Sequence, residues 1–183
     1  MDSFLSLPGD SLDDNQLACL RDQALNQHQW ARQYAMQLIQ SVPDELWYKV
    51  PEGMSTHLAW QVGHLAVSQY GLMLFRQRGR AEGDVELMPG WLRKQFGRGS
   101  QPMSASDSAP KPAELLARLT QIHQQSIAEV SQLSAATLKE SCDMPYCVYP
   151  IKLGALMFAP IHEGIHAGQI GLVRRGLGLD PIR

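Results

Sequence analysis

Apolar residues return at helical intervals along four long segments of the chain. The first runs from about Asp13 to Ser41, where Leu17, Leu20, Ala24, Ala31, Tyr34 and Leu38 recur and Val42-Pro43 stops the run. Ser11 or Asp13 is placed to cap its start. The second opens at Ser55, a good N-cap residue, and continues to Gly79. Leu58, Val62, Leu65, Gln69 and Leu72 form one face, and Trp60, Val67 and Leu74 make it apolar around much of its girth, which suits a helix inside a bundle. The third follows Pro112, a good first-turn residue, with Leu115, Leu119, Ile122, Ser126, Val130 and Leu133 as its stripe. The fourth spans about Ile151 to Leu177 and ends in a Gly-Leu-Gly typical of a C-cap. Pro160 lies inside it, so a kink or a restart is expected there.

The pattern predicts an all-α chain, a four-helix bundle over residues 13–183 preceded by an N-terminal extension over 1–12. Only YCVYPIKL offers a short extended piece, and there is no internal repeat. Between the second and third helices, residues 79–112 are rich in Gly, Pro and Ser and form a long connection without a period. Trp91 and Phe96 suggest that part of it folds back onto the body, leaving GSQPMSASDSAPKP as its flexible part. Such a crossover lets the two helices it joins run parallel.

Composition narrows the setting. A formal charge of −2 and a pI near 6.3 give no reason to expect nucleic acid or an anionic membrane as partner. The N-terminus lacks the basic and apolar regions of a signal peptide, and no apolar run approaches the roughly 20 residues of a membrane helix. Cys19, Cys142 and Cys147 are an odd number of cysteines and read as free thiols of a reducing cytoplasm. Four residues separate Cys142 from Cys147, wider than a zinc hairpin, so neither a disulfide nor a cysteine metal site is expected. The methionines, among them Met36, Met54, Met73 and Met157, read as core filling.

The candidate chemistry lies in HEGIHAGQI, residues 162–170. His162, Glu163 and His166 spell the H-E-x-x-H of zinc proteases. At about 100° per residue the two histidines stand about 40° apart on one helix face, so both rings can reach one ion. The longer protease motif fails, because Gln169 and Leu172 stand where Gly and His belong. The other protease form needs a later carboxylate, and only Asp180 follows. A third ligand therefore has to come from upstream. His64, midway along the second helix beside Gly63, is one candidate, although a lone histidine there also fits a satisfied core residue. His57, seven residues earlier on the same face, is another, with His123 and His28 further from the pattern.

Three pieces of wording resemble a known family. They are Trp60-x-x-x-His64-Leu65, the terminal run His162, His166, Gly168, Gln169, Ile170, Arg174, Arg175, and PDELW at 43–47. Together they are similar to the DinB-like superfamily over roughly residues 14–178. The resemblance implies a four-helix bundle, often a homodimer, with a three-histidine site whose ligands here would be His64, His162 and His166. It implies a divalent metal, commonly zinc or nickel and sometimes manganese or iron. It also implies chemistry that uses a low-molecular-weight thiol, as in S-transferases and a maleylpyruvate isomerase. Pro160 just before the ligand pair and the long insertion at 79–112 depart from the simplest family pattern.

Neutral imidazoles would leave the full +2 charge on such an ion, which lowers the pKa of a bound water or thiol. Glu163, about 100° around the helix from His162 and 60° from His166, is a candidate acid or base, or a group that orients a ligand. His57 is a second candidate acid or base. Gln169 and Arg174 are candidates for holding a small-molecule substrate, although Arg174 and Arg175 suit the helix C-terminus or a subunit contact better. The expectation is a metal-dependent transferase or isomerase. A metal-dependent hydrolase and a non-catalytic, metal-stabilised binding or stress-response module are the alternatives, and a fourth protein ligand such as His57 or His123 would favour the module.

Overall fold

The computed structural model describes residues 12–106, 108–143 and 145–182. Among them it is all-α: α1 (Asp14–Gln40), α2 (Leu58–Gln69), α3 (Arg76–Arg78), α4 (Asp84–Leu87), α5 (Gly90–Phe96), α6 (Pro112–Val130), α7 (Ala135–Lys139) and α8 (Lys152–Gly176). The only β feature among them is a single bridge between Ser141 and Ile151, of which only Ile151 falls within the stretch expected to be extended. No described helix is long and apolar enough to cross a membrane. Ser11 and nearly all of the expected N-terminal extension lie outside the described residues.

Helix ends follow local chemistry. Asp13 opens α1 with a capping box, its carboxylate accepting from Gln16 N while Gln16 Oε1 accepts from Asp13 N. α2 begins later than Ser55 suggests. Its N-cap is His57, whose Nδ1 accepts from Trp60 N at 3.1 Å. A buried imidazole does the work of a serine here because its other nitrogen, Nε2, donates to Met103 O at 2.7 Å. Pro112 takes the first turn of α6 as expected. Pro160 neither ends nor restarts α8, which runs unbroken from Lys152 to Gly176. That helix closes on Gly178 at φ +81°, with Leu179 N donating back to Arg174 O.

The second helix does not stay regular to Gly79. Tyr70–Phe75 forms a π-helical stretch between α2 and α3, and Leu72, Met73 and Leu74 are buried in succession there.

α1 packs along α8, and α2 packs along α6 and α8. Buried side chains form two apolar clusters. One holds Leu38, Ile39, Leu58, Val62, Leu119, Ile122 and Ile170. The other holds Leu17, Leu25, Leu72, Met73, Val130, Leu153 and Leu156. Chain order through these clusters gives direction: α1 and α8 pass from the second to the first, α2 and α6 from the first to the second. So α2 and α6 run parallel, which their long connection permits. Between the clusters every long helix contributes buried polar residues: His28 and Arg32, Gln69, Ser126, Glu163 and His166.

The connection over 79–112 is not a plain loop. It contains α4 and α5, whose shortness and Gly/Pro surroundings hide them from a periodicity search. α5 packs on α2 through Leu92 and Phe96, both fully buried. Arg78 ties α4 to α6 by pairing with both Asp84 and Glu129. The stretch expected to be mobile is also tied down, with Ser100 Oγ accepting from Trp60 Nε1 at 3.0 Å, Met103 O from His57, and Pro110 O from the Tyr48 hydroxyl.

Gly63 is the contact point for α5. A Cβ there would lie 2.3 Å from Cγ of the Phe96 ring. Helix propensity alone makes Gly63→Ala stabilising by about 1 kcal/mol, but forcing the buried ring away costs about 1–3 kcal/mol. The expected outcome is a net loss, read as a lower urea midpoint; a raised midpoint would mean that Phe96 is not packed against this glycine.

Candidate metal centre

Each polar group at the candidate site is set by its helix. His162 and His166 stand one turn apart on α8, and His64 faces them from α2. One ligand atom of each lies within 4.8 Å of the others. Ring centroids are 4.5 Å apart for His162 and His166, 4.8 Å for His64 and His166, and 5.4 Å for His64 and His162.

Hydrogen bonds fix which nitrogen faces inward. His64 Nδ1 lies 2.8 Å from Phe96 O, and a carbonyl only accepts, so Nδ1 carries the proton and Nε2 keeps its lone pair. His166 Nδ1 donates in the same sense to Gln61 Oε1 at 2.6 Å, while Gln61 Nε2 donates to Thr56 Oγ1. The His64 ring also stacks on Trp60, 4.6 Å between centroids and 8° from parallel. A ligand imidazole whose far N–H is held by an oxygen is the usual support of a metal site. Gly63 belongs to the same device, since its missing side chain admits Phe96, whose carbonyl orients His64.

Burial holds all three rings neutral at pH 7. It pushes His64 down, His162 to about 4 with help from the His64 charge, and His166 to about 3 with help from His162 and His64. Three uncharged nitrogen donors this close, one buried and two half-buried, fit a divalent ion. Imidazole nitrogens on one such ion sit about 2.1 Å from it, so modest side-chain shifts suffice to close the cluster.

Two cavities flank the cluster. One of about 380 Å³ is lined by His64, His162, Ser68, Arg76, Tyr146 and Phe158 among others. The other, about 500 Å³, is lined by His166, Gln61, Gln169, Trp60, Ser100 and Leu172 among others. The π-helical stretch borders the first through Gly71 and Leu72.

The remaining sequence candidates separate. Gln169 lines the cavity beside His166. Glu163 is 1% exposed, lines neither flanking cavity, and is gripped by Arg32 through Nε at 2.7 Å and Nη2 at 2.9 Å. Burial alone would raise its carboxyl pKa, but the charge and hydrogen bonds of Arg32 outweigh that and hold it below the usual range. His57 is buried with both ring nitrogens engaged, as cap of α2 and as donor to Met103 O. Arg174 is buried and donates to Leu38 O and Asp180 O, tying the end of α8 to the end of α1. His123 bonds Gln69 Nε2 through Nδ1, and its ring lies 5.6 Å from that of His28.

Sequence reasoning missed Gln61, Phe96 O and Arg32. Gln61 had one visible signal, a polar residue three positions before His64 in a helix otherwise apolar at that level. Arg32 had only its place on the buried side of α1, and a backbone carbonyl leaves no trace in sequence.

An all-α scaffold in which three histidines, two of them tautomer-fixed, converge between two cavities defines the class of protein. The family profile described as the DinB superfamily matches residues 27–170, and the chain belongs to that superfamily. No curated protein gives a significant match to it.

The Arg32–Glu163 pair sets a second expectation. Arg32→Met leaves Glu163 buried without a partner and should cost about 3–5 kcal/mol, whereas Arg32→Met with Glu163→Leu should recover most of the loss. Urea denaturation of the three proteins decides it, and a single variant within about 1 kcal/mol of the parent chain would show the pair to be solvated.

Proposed function

We propose that this protein is a divalent-metal-dependent enzyme acting on a small molecule, with His64, His162 and His166 as the metal ligands. One observation carries the reading: three neutral imidazoles converge beside two cavities, and two of them have their outer nitrogens held by oxygen acceptors. A divalent ion bound there supplies a Lewis acid that lowers the pKa of a thiol or a water.

The chain's own residues do the rest. Phe96 O and Gln61 hold two rings in the ligating tautomer. Ser68 Oγ, 3.2 Å from His64 Nε2, is a polar group at the edge of the cavity where a substrate would sit. Gln169 offers an amide to a substrate or bound solvent on the other side. Glu163, paired with Arg32, acts in this reading as a positioning residue that fixes the rotation of α8 and with it both histidines. His57 and Arg174 serve here as buried ties, not as groups that touch substrate.

Transfer or isomerisation with a low-molecular-weight thiol is the reaction class we favour, and hydrolysis the alternative. The non-catalytic module lacks its distinguishing feature among the described residues, because His57 and His123 are engaged elsewhere. Zinc or nickel suits a three-imidazole donor set best, with manganese or iron less so. The three free thiols support a cytoplasmic setting. Ile161, Ile165 and Leu172 form an exposed apolar stripe on α8, about half exposed at each position, which supports a homodimer.

Elemental mass spectrometry of tag-free protein tests the centre. One ion per chain is expected, absent from His64→Ala and bound about 10–100-fold more weakly by Gln61→Ala. No metal in the parent chain, even after incubation with zinc or nickel, would sink the reading. With metal confirmed, consumption of a supplied thiol together with an electrophile separates transfer from thiol-independent hydrolysis. In a separate measurement, Ile165→Asp should shift the sedimentation of the protein from dimer to monomer; an unchanged dimer would place the subunit contact elsewhere.

A further inference from the structure

Two of the thiols face each other across the loop that leads into α8. Cys142 Sγ and Cys147 Sγ are 3.6 Å apart. The loop is closed at its base by the Ser141–Ile151 bridge, with Cys142 N donating to Pro150 O at 3.0 Å. Just beyond it, Val148 N donates to Gly154 O at 2.9 Å. Gly154 tolerates no side chain, because a Cβ would lie 2.1 Å from Tyr149 O, so the base of the loop has little freedom.

Arg76 fills the inside of this loop. Its Nη1 donates to Cys147 Sγ at 2.8 Å and to Asp143 O at 2.9 Å, and approaches Cys142 Sγ at 3.7 Å. Its Nη2 donates to Pro145 O at 2.9 Å. Tyr146, next to Cys147, sits at φ 75°, a conformation that a bulky residue adopts only under constraint. Arg76 and Tyr146 both line the cavity that reaches His64 and His162, and Arg98 lies over the Tyr146 ring at 5.3 Å. One guanidinium thus links the dithiol to the cavity wall.

We propose that Cys142 and Cys147 are a redox modification site, joined reversibly by a disulfide whose formation releases Arg76 and Tyr146 and reshapes the wall of the cavity beside His64 and His162. The dithiol chemistry stands independently of the metal reading; only its meaning as control of access to a reaction centre rests on it.

The oxidant is a peroxide. Cys142, the less buried of the two, is the attacking sulfur and reacts as its thiolate. Its sulfur takes a hydroxyl from the peroxide, the O–O bond breaks, and the other oxygen leaves as water once protonated. Cys147 Sγ then attacks the Cys142 sulfur, the S–O bond breaks, and the hydroxyl departs as a second water with the Cys147 proton. Two thiols and one hydrogen peroxide give one disulfide and two waters, and a dithiol reductant reverses the change. The sulfurs close from 3.6 Å to about 2.05 Å. A sulfur in that bond is a poorer acceptor for Nη1, which is how the change reaches Arg76. Burial and the neighbouring Cys142 push the Cys147 thiol up to about 11, consistent with its acting second.

The test uses the full chain carrying Cys19→Ser, which removes the exposed thiol of α1. The protein is reduced, exposed to graded hydrogen peroxide, alkylated and digested with trypsin. Both cysteines fall in the peptide 140–152. That peptide is expected to become lighter by two hydrogens, to resist alkylation, and to recover with dithiothreitol. Oxidation of Met144 in the same peptide adds an oxygen and is separated by mass. Two alkylated thiols after peroxide, or sulfinic acid on either cysteine without a crosslink, would overturn the site.

Hydrogen exchange then compares the reduced and crosslinked forms. Exchange should change several-fold over 141–151 and over 70–78, the stretch carrying Arg76. A change confined to 141–151 would overturn the link to the cavity wall. The same change in a Cys142→Ser, Cys147→Ser protein would assign it to methionine oxidation and overturn it equally.

Discussion

The structure depends on a polar layer buried across its middle. Arg32 of α1 and Glu163 of α8 form a two-pronged ion pair almost without solvent, between two apolar clusters that would otherwise be one core. Taking two charges out of water is costly, and such a pair repays that cost only when its geometry is held on every side. α1 and α8 are therefore fixed in register at the level where α8 presents His162 and His166. His28, Gln69, His123 and Ser126 extend the layer to α2 and α6. An apolar core of the same volume would pack as well but would tolerate sliding. The polar layer gives the four long helices one alignment.

That alignment turns a motif into a site. The histidines of α8 need a third ring from a helix far away in sequence, and they need each ring's inner nitrogen free. The first requirement is met by α2 packing against α8, the second, for His64 and His166, by acceptors on two different elements. The long insertion supports this directly. Its seven-residue helix α5 carries Phe96 into the gap left by Gly63, and the carbonyl at that point turns His64. What looks like a departure from the simplest family wording is a structural arm of the candidate centre.

The surroundings divide the labour between two sides. On the His166 side the cavity is lined by Gln61, Gln169, Trp60 and Ser100, a polar wall held by the connector that follows α5. On the His64 and His162 side, Phe158, Tyr146 and Leu72 make a more apolar wall ended by two arginines, Arg76 and Arg98. The irregular features gather on this second side: the π-helical stretch, the left-handed Tyr146 and the facing thiols. Regular helix would have been cheaper in free energy at each of these places. Their concentration at one cavity matches the view that this wall is where the molecule changes.

Sequence alone determined the four long helices, because an apolar stripe at helical spacing has few other ways to be buried. It determined the i, i+4 histidine pair, since helical geometry puts both rings on one face, and it rejected the protease reading because the residues after His166 are wrong for it. The resemblance carried the family, and it singled out His64 from the other histidines. Only the tertiary structure decided what the remaining polar residues do. Glu163 and Arg32 are far apart in the chain, so neither announces the other, and Glu163 on a helical wheel looks as free to face a cavity as to face a cation. His57 reads as a site residue by spacing, yet the register of the connector gives both of its nitrogens to structure. Short helices such as α5 escape a periodicity search because two buried residues make no period, and the carbonyl of Phe96 and the pairing of Cys142 with Cys147 have no pattern at all. Spacing along a helix is a local property and can be read; which groups meet across helices depends on packing, and packing is settled by the whole chain at once.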